Sequence, residues 1–226
     1  MTSRIIKVLS VVIVLLALAY VVPHSSSFVV LLTTRALVFA ILAMSLDILL
    51  GFTGLASLGQ AAYFSVGAYF TAIMATKYHF GLGWDFWLVV LLGMLVAALL
   101  AAFFGLFAIR ASGVYFLMIT LALGQCVWGL AYRWNSLTGG DNGISGIPRP
   151  DLGLPISLKD PLTFYYFILV FFLVCLFLML IYVRSPFGHS LKGVRESESR
   201  MRVLGYHTWL HKYLSYVSAS AFGGVA

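Results

Sequence analysis

A short stretch between two apolar runs contains the side chains best suited to hydrogen bonding within a membrane. Its glycines and polar residues are Asp47, Gly51, Thr53, Gly54, Ser57, Gly59 and Gln60. Their carboxylate, hydroxyl and amide groups could bond to backbone groups that a broken helix releases, or to a polar solute. Because glycine permits unusual backbone angles, the pattern favours a Gly-interrupted helix that lines a substrate pathway. The alternative is a turn between two ordinary spans, with the glycines serving close helix packing.

Asp47, the carboxylate of this stretch, has two candidate roles. An ionisable group within a membrane span is functional by default, and here it could couple transport to an ion. Asp47 also lies one helical turn before Gly51, where its oxygens could bond to backbone groups loosened by the break. We favour the structural role, because such a bond is easily made at this distance from the break.

The composition assigns the chain to the membrane proteins. Hydrophobic residues make up 62% of the sequence, charged residues only 9%, and the mean hydropathy is +1.03. These values lie far outside the range of soluble domains. The net charge of +7 is therefore first a topology signal rather than a sign of a nucleic-acid partner. Cys126 and Cys175 both lie in apolar runs, which indicates buried small residues rather than a disulfide.

Apolar runs long enough to cross a bilayer recur along the chain. They lie at 5–22, 29–50, 61–76, 86–109, 113–132 and 163–183, and another begins at 212. The first lacks a small-residue cleavage site, so we expect an uncleaved helix. Ala97, Ala101 and Gly105 form a small-residue stripe suited to helix packing. The sequence thus predicts an all-α fold, a polytopic transmembrane helical bundle that forms one domain over 1–226.

The charged residues predict the orientation of these spans. With the N-terminus in the cytoplasm, nine basic and two acidic residues fall inside, and four of each fall outside. The whole net charge then lies where the positive-inside rule requires it. Without the run at 113–132, the basic segment 184–202 would lie outside, so the charges support six complete spans.

The longest predicted external loop covers 133–162. It contains Thr138, Gly139, Gly140, Asp141 and Asn142, followed by several prolines. Glycine and Asp-Asn favour tight turns and proline blocks regular structure, so we expect an ordered loop without long helices. It could be a docking surface or an outer gate, and a plain connector is equally compatible with its composition.

The predicted cytoplasmic loop covers 184–205. Pro186 and Gly188 are expected to end the preceding span and Gly193 to break a first short segment, leaving a compact helix from Val194 to Leu204. The candidate contact residues of this helix are Arg195, Glu196, Glu198, Arg200, Leu204 and Gly205. A short helix of mixed charge could dock a soluble partner. The alternative, a helix lying on anionic lipid, fits the alternating Glu and Arg less well.

Several motifs of membrane enzymes are missing from the sequence. There is no phosphate-binding loop, no His and Cys spacing typical of a metal site and no Gly-x-Ser-x-Gly element. We therefore expect a transport subunit without an ATPase site, metal or cofactor of its own.

Three stretches carry a resemblance to a known family. They are 46–64, 137–148 and 185–205, and the match continues through 211–224. In their combination and order the chain resembles a LivM-type permease of the branched-chain amino-acid ABC importers of bacteria and archaea. Departures from the family pattern stand at Asp47, Gln60, Ser197 and Met201. Family members also continue with further spans beyond Ala226, so the sequence resembles a C-terminally truncated permease or a fragment.

The resemblance implies an import machine in the inner membrane. An extracytoplasmic substrate-binding protein would deliver leucine, isoleucine or valine, a second homologous permease subunit would complete the path, and two cytoplasmic ATPase subunits would grip the inner loops. The segment from Arg195 to Gly205 would then be the coupling helix. Three other hypotheses stay open: an ion-coupled secondary transporter that uses Asp47, a membrane scaffold without a path, and a permease for urea or other small amides.

Overall fold

The computed structural model describes residues 18, 20, 22–80, 83, 85–148, 158 and 160–226, which are mostly helical and contain no β-strand. The helices, in chain order, are α1 (Ser27–Asp47), α2 (Gln60–Lys77), α3 (Phe86–Ala108), α4 (Val114–Arg133), the short α5 (Asn135–Thr138), α6 (Pro161–Arg184), α7 (Pro186–Glu196), α8 (Glu198–Val203) and α9 (Thr208–Val225). A π-helical segment, Ile48–Thr53, continues α1. The predicted all-α fold is thus confirmed over the described residues.

Four of the described helices are long and apolar enough to cross a membrane. They are Ser27–Thr53, Phe86–Ala108, Val114–Arg133 and Pro161–Arg184. The predicted runs at 29–50, 86–109, 113–132 and 163–183 coincide with them. Helices α2 and α9 have 18 residues each and occupy the runs predicted at 61–76 and from 212, but they are not among these four. The run at 5–22 lies almost entirely outside the described residues, so the count of six spans stays a prediction.

Helix α9 lies at the centre of the bundle, packed against α1, α2 and α3. On its partner α3, Ala97 and Ala101 are fully buried, and a Cβ on Gly224 of α9 would overlap that of Ala97. Gly105, on the same face of α3, lies against the Tyr216 ring. Small residues let the two backbones approach closely. The predicted stripe on α3 is therefore confirmed as a packing surface, and its partner is α9.

The helix break begins later than the glycine pattern predicts. The backbone stays helical through Gly51, as the π segment, and leaves the helix at Gly54, which has a φ of 76°. The Leu49 carbonyl accepts the amides of both Gly54 and Leu55, the latter at 2.9 Å. This widened turn accommodates Gly51 without a break, so its predicted role as an interruption is wrong. Irregular backbone then runs from Gly54 to Gly59, the residue before α2.

The predicted cytoplasmic loop, 184–205, is called the inner loop below. It folds as two helices rather than as one helix from Val194. The preceding span α6 ends at Arg184, just before Pro186, as predicted. Pro186 is also the first residue of α7, and the Ser185 hydroxyl caps this new helix by accepting the Gly188 amide at 3.2 Å. Gly188 lies within α7, as does Gly193. The break falls at Ser197, whose extended backbone and side chain start α8.

Gly193 has a different role from the predicted helix breaker. A Cβ there would lie 2.8 Å from the Met201 sulfur, so the glycine makes room for α8 to fold back onto α7. At the other end, Gly205 ends α8 with a φ of 87°. The Tyr206 amide bonds to the Met201 carbonyl at 3.1 Å, which is the closure of a Schellman motif. The predicted C-terminal role of Gly205 is confirmed.

The predicted external loop, 133–162, is called the outer loop below. Between α4 and α6, its described part contains only α5 and one 3₁₀ turn, Gly140–Asn142. Gly139, Gly140, Gly143 and Gly146 all have positive φ values, which glycine adopts without strain. Residues 149–157 and 159 lie outside the described residues. For the described part, the prediction of a loop without long helices is confirmed.

Candidate functional site

The irregular segment 54–59 packs against the middle of α4. The Leu58 amide donates to the Thr120 hydroxyl at 3.2 Å, and the Gly59 amide donates to Ser57 Oγ at 3.3 Å. Gly124, near the midpoint of the 20-residue α4, has the Gly59 Cα as the atom nearest to where its Cβ would be. Side-chain hydroxyls therefore accept two of the amides that the break releases, as the sequence predicts.

On its other side the break faces α9 through a set of buried polar contacts. Thr53 Oγ1 and Ser215 Oγ are 2.6 Å apart. Gln60 connects Ser45 on α1 with Ser220 on α9, at 3.5 Å each. All five residues are at most 5% exposed. We call these five residues the hydroxyl seam; it joins α1, the break and α9.

Sequence reasoning missed three of the five seam residues. It singled out Thr53 and Gln60 but gave no role to Ser45 of α1, or to Ser215 and Ser220, which lie in the last apolar run. A third α9 hydroxyl, Ser218, lies 2.6 Å from the Tyr182 hydroxyl of α6. Hydroxyls recurring along an otherwise apolar run were the available signal, because buried hydroxyls in helices need partners.

An open groove of about 740 Å³ lies between α2 and α4. We call it the α2–α4 groove; its lining residues are Leu58, Ala61, Ala62, Ser65, Tyr69, Leu121, Gly124, Gln125, Trp128, Ala131, Tyr132, Gly140 and Asp141. One end of this surface is the helix break, at Leu58, and the other is the outer loop, at Asp141. Its lining includes both apolar and hydrogen-bonding side chains. The groove therefore connects two regions that the sequence singled out separately.

The seven predicted pathway residues do not line this groove directly. Thr53, Ser57, Gly59 and Gln60 are buried behind its inner end, Gly51 is half-buried, and Gly54 is exposed. Asp47 is exposed, and its carboxylate occupies the position that a Cβ on Gly51 would take. The structure thus groups the hydroxyl and amide residues of the prediction and leaves Asp47 apart from them.

The predicted outer docking residues form a tight turn above the groove. The Thr138 hydroxyl is buried and donates to the Ala131 and Trp134 carbonyls. Gly140 lines the groove together with Asp141, while Gly139 lies between Thr138 and the 3₁₀ turn. Asp141 and Asn142 are exposed. The Lys77 ammonium at the end of α2 donates to the Ser136 carbonyl, which ties this turn to α2.

Glu198 is an internal link of the inner loop. Its carboxylate accepts bonds from Arg202 on α8 and from Lys212 and Thr208 on α9. Partial burial raises the pKa of Glu198, but the bonds from Lys212 and Arg202 outweigh it, so the pKa lies below its ordinary value. The carboxylate fastens α8 to the start of α9, a contact that the sequence pattern did not reveal.

Other predicted contact residues of the loop stay open to solvent. Glu196, Arg200 and Gly205 are exposed. At the end of α8, Val203 and Leu204 are 88% and 65% exposed. Arg195 is also exposed, but its guanidinium donates to the Gly51 carbonyl at the break. The loop therefore presents an apolar tip with charged neighbours on one side and contacts the broken helix on the other.

No cluster of His, Cys, Asp or Glu suited to a metal ion occurs among the described residues. Four described helices able to cross a membrane, a polar break at the end of the first and a groove at that break define a multi-pass membrane protein of the permease type. The family model for the permease component of branched-chain amino acid transport systems matches residues 28–226. The chain belongs to this family, as the resemblance predicted.

Two curated relatives are the high-affinity branched-chain amino acid transport system permease proteins LivM of Salmonella typhimurium strain LT2 and Escherichia coli strain K12. Each is 29% identical to this chain over 217 residues, which is 86% of this chain and 50% of the relative. The chain thus spans about half the length of the curated relatives it matches. No solved structure matches it.

Proposed function

We propose that the chain is a membrane permease subunit of an ATP-driven importer for leucine, isoleucine and valine. Membership of the family supports this function, and so do the relatives' printed substrates. The structural observation that carries it is the α2–α4 groove, which extends from the helix break to the outer loop. The permease would perform no covalent chemistry. It would shift between inward- and outward-facing states under the influence of ATPase partners.

The groove is suited to a small solute with one apolar and one polar part. Leu58, Ala62 and Leu121 offer contacts for a branched aliphatic side chain, while Ser65 and Gln125 offer hydrogen bonds. Gly59 lets the backbones of the break and α4 approach closely at its inner end. Motion of the break would therefore change the shape of the groove at Leu58.

Blocking this groove reversibly tests the proposal. In the complete importer, with Cys126 replaced by serine, Gln125→Cys would be labelled with a bulky, reducible thiol reagent. We expect labelling to lower leucine uptake at least tenfold and a reductant to restore it, because a bulky group there fills the groove. The matched control is Gly129→Cys on the same helix, which has no neighbour near its Cβ position. Unchanged uptake by fully labelled Gln125→Cys would exclude the groove as the path.

The partners follow from the exposed surfaces. The apolar tip Val203 and Leu204, with Glu196 and Arg200 nearby, is the proposed contact for one of two cytoplasmic ATPase subunits. The turn that carries Asp141 is the proposed contact for an extracytoplasmic substrate-binding protein. A second homologous permease subunit would complete the path. The excess of basic residues in 184–212 supports a cytoplasmic loop in a bacterial or archaeal inner membrane, with the N-terminus also inside.

A further inference from the structure

The contact between Arg195 and the broken helix joins two parts of the chain that are far apart in sequence. The Arg195 guanidinium, near the end of α7, donates to the Gly51 carbonyl in the π segment. The last carbonyls of a helix have no amide partner within it and carry partial negative charge. The Gly54 and Leu55 amides, which follow this helix end, both bond to Leu49. A cation on the Gly51 carbonyl therefore stabilises a helix end that the break has left open.

Two further contacts fit this end of α7 to the break. A Cβ on Gly54 would lie 3.0 Å from the Arg195 Cγ, so the arginine stem lies directly over the residue where the backbone leaves the helix. The Lys192 ammonium lies 5.1 Å from the centre of the Phe52 ring, which is a cation–π contact. Both cations of α7 thus contact the segment that precedes the irregular backbone.

The rest of the inner loop is attached to α9. Glu198 connects α8 to Lys212 and Thr208, and Met201 packs into the space left by Gly193. Helices α7 and α8 therefore form one folded unit that contacts both elements. Arg195 contacts the helix break, while Glu198 and the Phe187 ring, which stacks on His211 with centroids 5.5 Å apart, contact α9.

We propose that Arg195 is a positioning residue that transmits movement of the inner loop to the helix break. A displacement of α7 would move the Gly51 carbonyl. Through Gly54 it would also move the irregular segment, which contains the groove residue Leu58. The π segment can follow this displacement, because a π turn is a local departure from the α-helix. Such turns often mark functional sites. This inference rests on the proposed function, since the displacement is supplied by ATPase closure. It assigns Arg195 to the broken helix rather than to the ATPase surface.

The test measures uptake, ATP hydrolysis and ATPase binding separately in the complete importer in liposomes. The variants are Arg195→Gln, Arg195→Lys and the control Arg110→Gln, an exposed arginine after α3. We expect Arg195→Gln to bind the ATPase and hydrolyse ATP as the wild type does, but to lower leucine uptake per ATP about tenfold, as loss of a charge-assisted bond implies. Arg195→Lys should recover part of the leucine uptake per hydrolysed ATP, and Arg110→Gln should leave this ratio unchanged.

A second readout follows the break itself. With Cys126 and Cys175 replaced by serine, the labelling rate of Leu58→Cys should change on adding ATP, and Arg195→Gln should abolish that change. An unchanged ratio of uptake to hydrolysis would overturn the proposal. Loss of ATPase binding in Arg195→Gln would also overturn it, because Arg195 would then be a docking residue. Wild-type protein without ATP-driven uptake would instead refute the proposed function.

Discussion

Gly59 is the position where one added methyl group should do the most damage to the helix break. A Cβ there would lie 2.7 Å from the Thr120 carbonyl oxygen, whereas ordinary contact begins at 3.4 Å. The φ and ψ of Gly59, −87° and 0°, are accessible to alanine, so backbone strain is not the cause. The break and α4 must therefore move apart in Gly59→Ala.

The cost of that movement can be estimated from overpacking. Forcing one methyl group into a well-packed site costs typically about 1–3 kcal/mol, and here the neighbour is a backbone carbonyl that cannot rotate away. Gly124→Ala, on the other side of the same contact, is the matched control. Its Cβ would lie 3.6 Å from the Gly59 Cα, and alanine is favoured over glycine in a helix by up to about 1 kcal/mol. The same substitution should therefore destabilise at Gly59 and be neutral or stabilising at Gly124.

Thermal unfolding of the purified protein in detergent measures both variants, and leucine uptake by the complete importer follows their function. We expect a lower unfolding temperature for Gly59→Ala but not for Gly124→Ala, and impaired uptake for Gly59→Ala. Equal unfolding temperatures for the two variants would refute the close contact between the break and α4. Normal uptake by Gly59→Ala would show that the geometry of the break is not critical for transport.

Three further outcomes test other contacts. Gly54→Ala should lower the free energy of unfolding by at least about 1 kcal/mol, because the φ of Gly54 is positive. Gly51→Ala should lower it less, because only the Asp47 side chain must move. Equal melting temperatures of the two variants would contradict this. A double-mutant cycle of Thr53→Val and Ser215→Ala should give a coupling of about 0.6–1.7 kcal/mol, and additive effects would exclude the bond. Because the pKa of Glu198 is lowered from 4.5, its stabilisation is complete above pH 4.5 and declines as the pH falls through the lowered pKa. The unfolding temperature should therefore fall at acid pH, and Glu198→Gln should reduce this fall.

Hydropathy was sufficient to predict the long helices. Apolar runs mark spans, because hydrocarbon requires every backbone group to be satisfied within the helix. The small residues on α3 likewise predicted a packing face. The partner of that face was not predictable, since the spacing of Ala97 and Ala101 contains no information about which helix approaches them.

The details of the two loops depend on contacts between distant parts of the chain. Glycine predicted helix breaks at positions 51 and 193, but a widened helical turn accommodates the first and the Met201 side chain explains the second. The mixed charges of the inner loop suggested one docking face, whereas Glu198 bonds to α9 and Arg195 bonds to the break. Charge patterns in a sequence do not distinguish internal ion pairs from surfaces that await a partner.

The central claim is that this chain forms the path of an importer driven by ATP. The most direct measurement is labelled leucine uptake by cells that carry the complete gene with its neighbouring genes, with ion gradients and ATP depleted independently. We predict that uptake survives an uncoupler at constant ATP and stops when ATP is depleted. Loss of uptake with the uncoupler at constant ATP would contradict this account and would support an ion-coupled carrier with Asp47 as its coupling group.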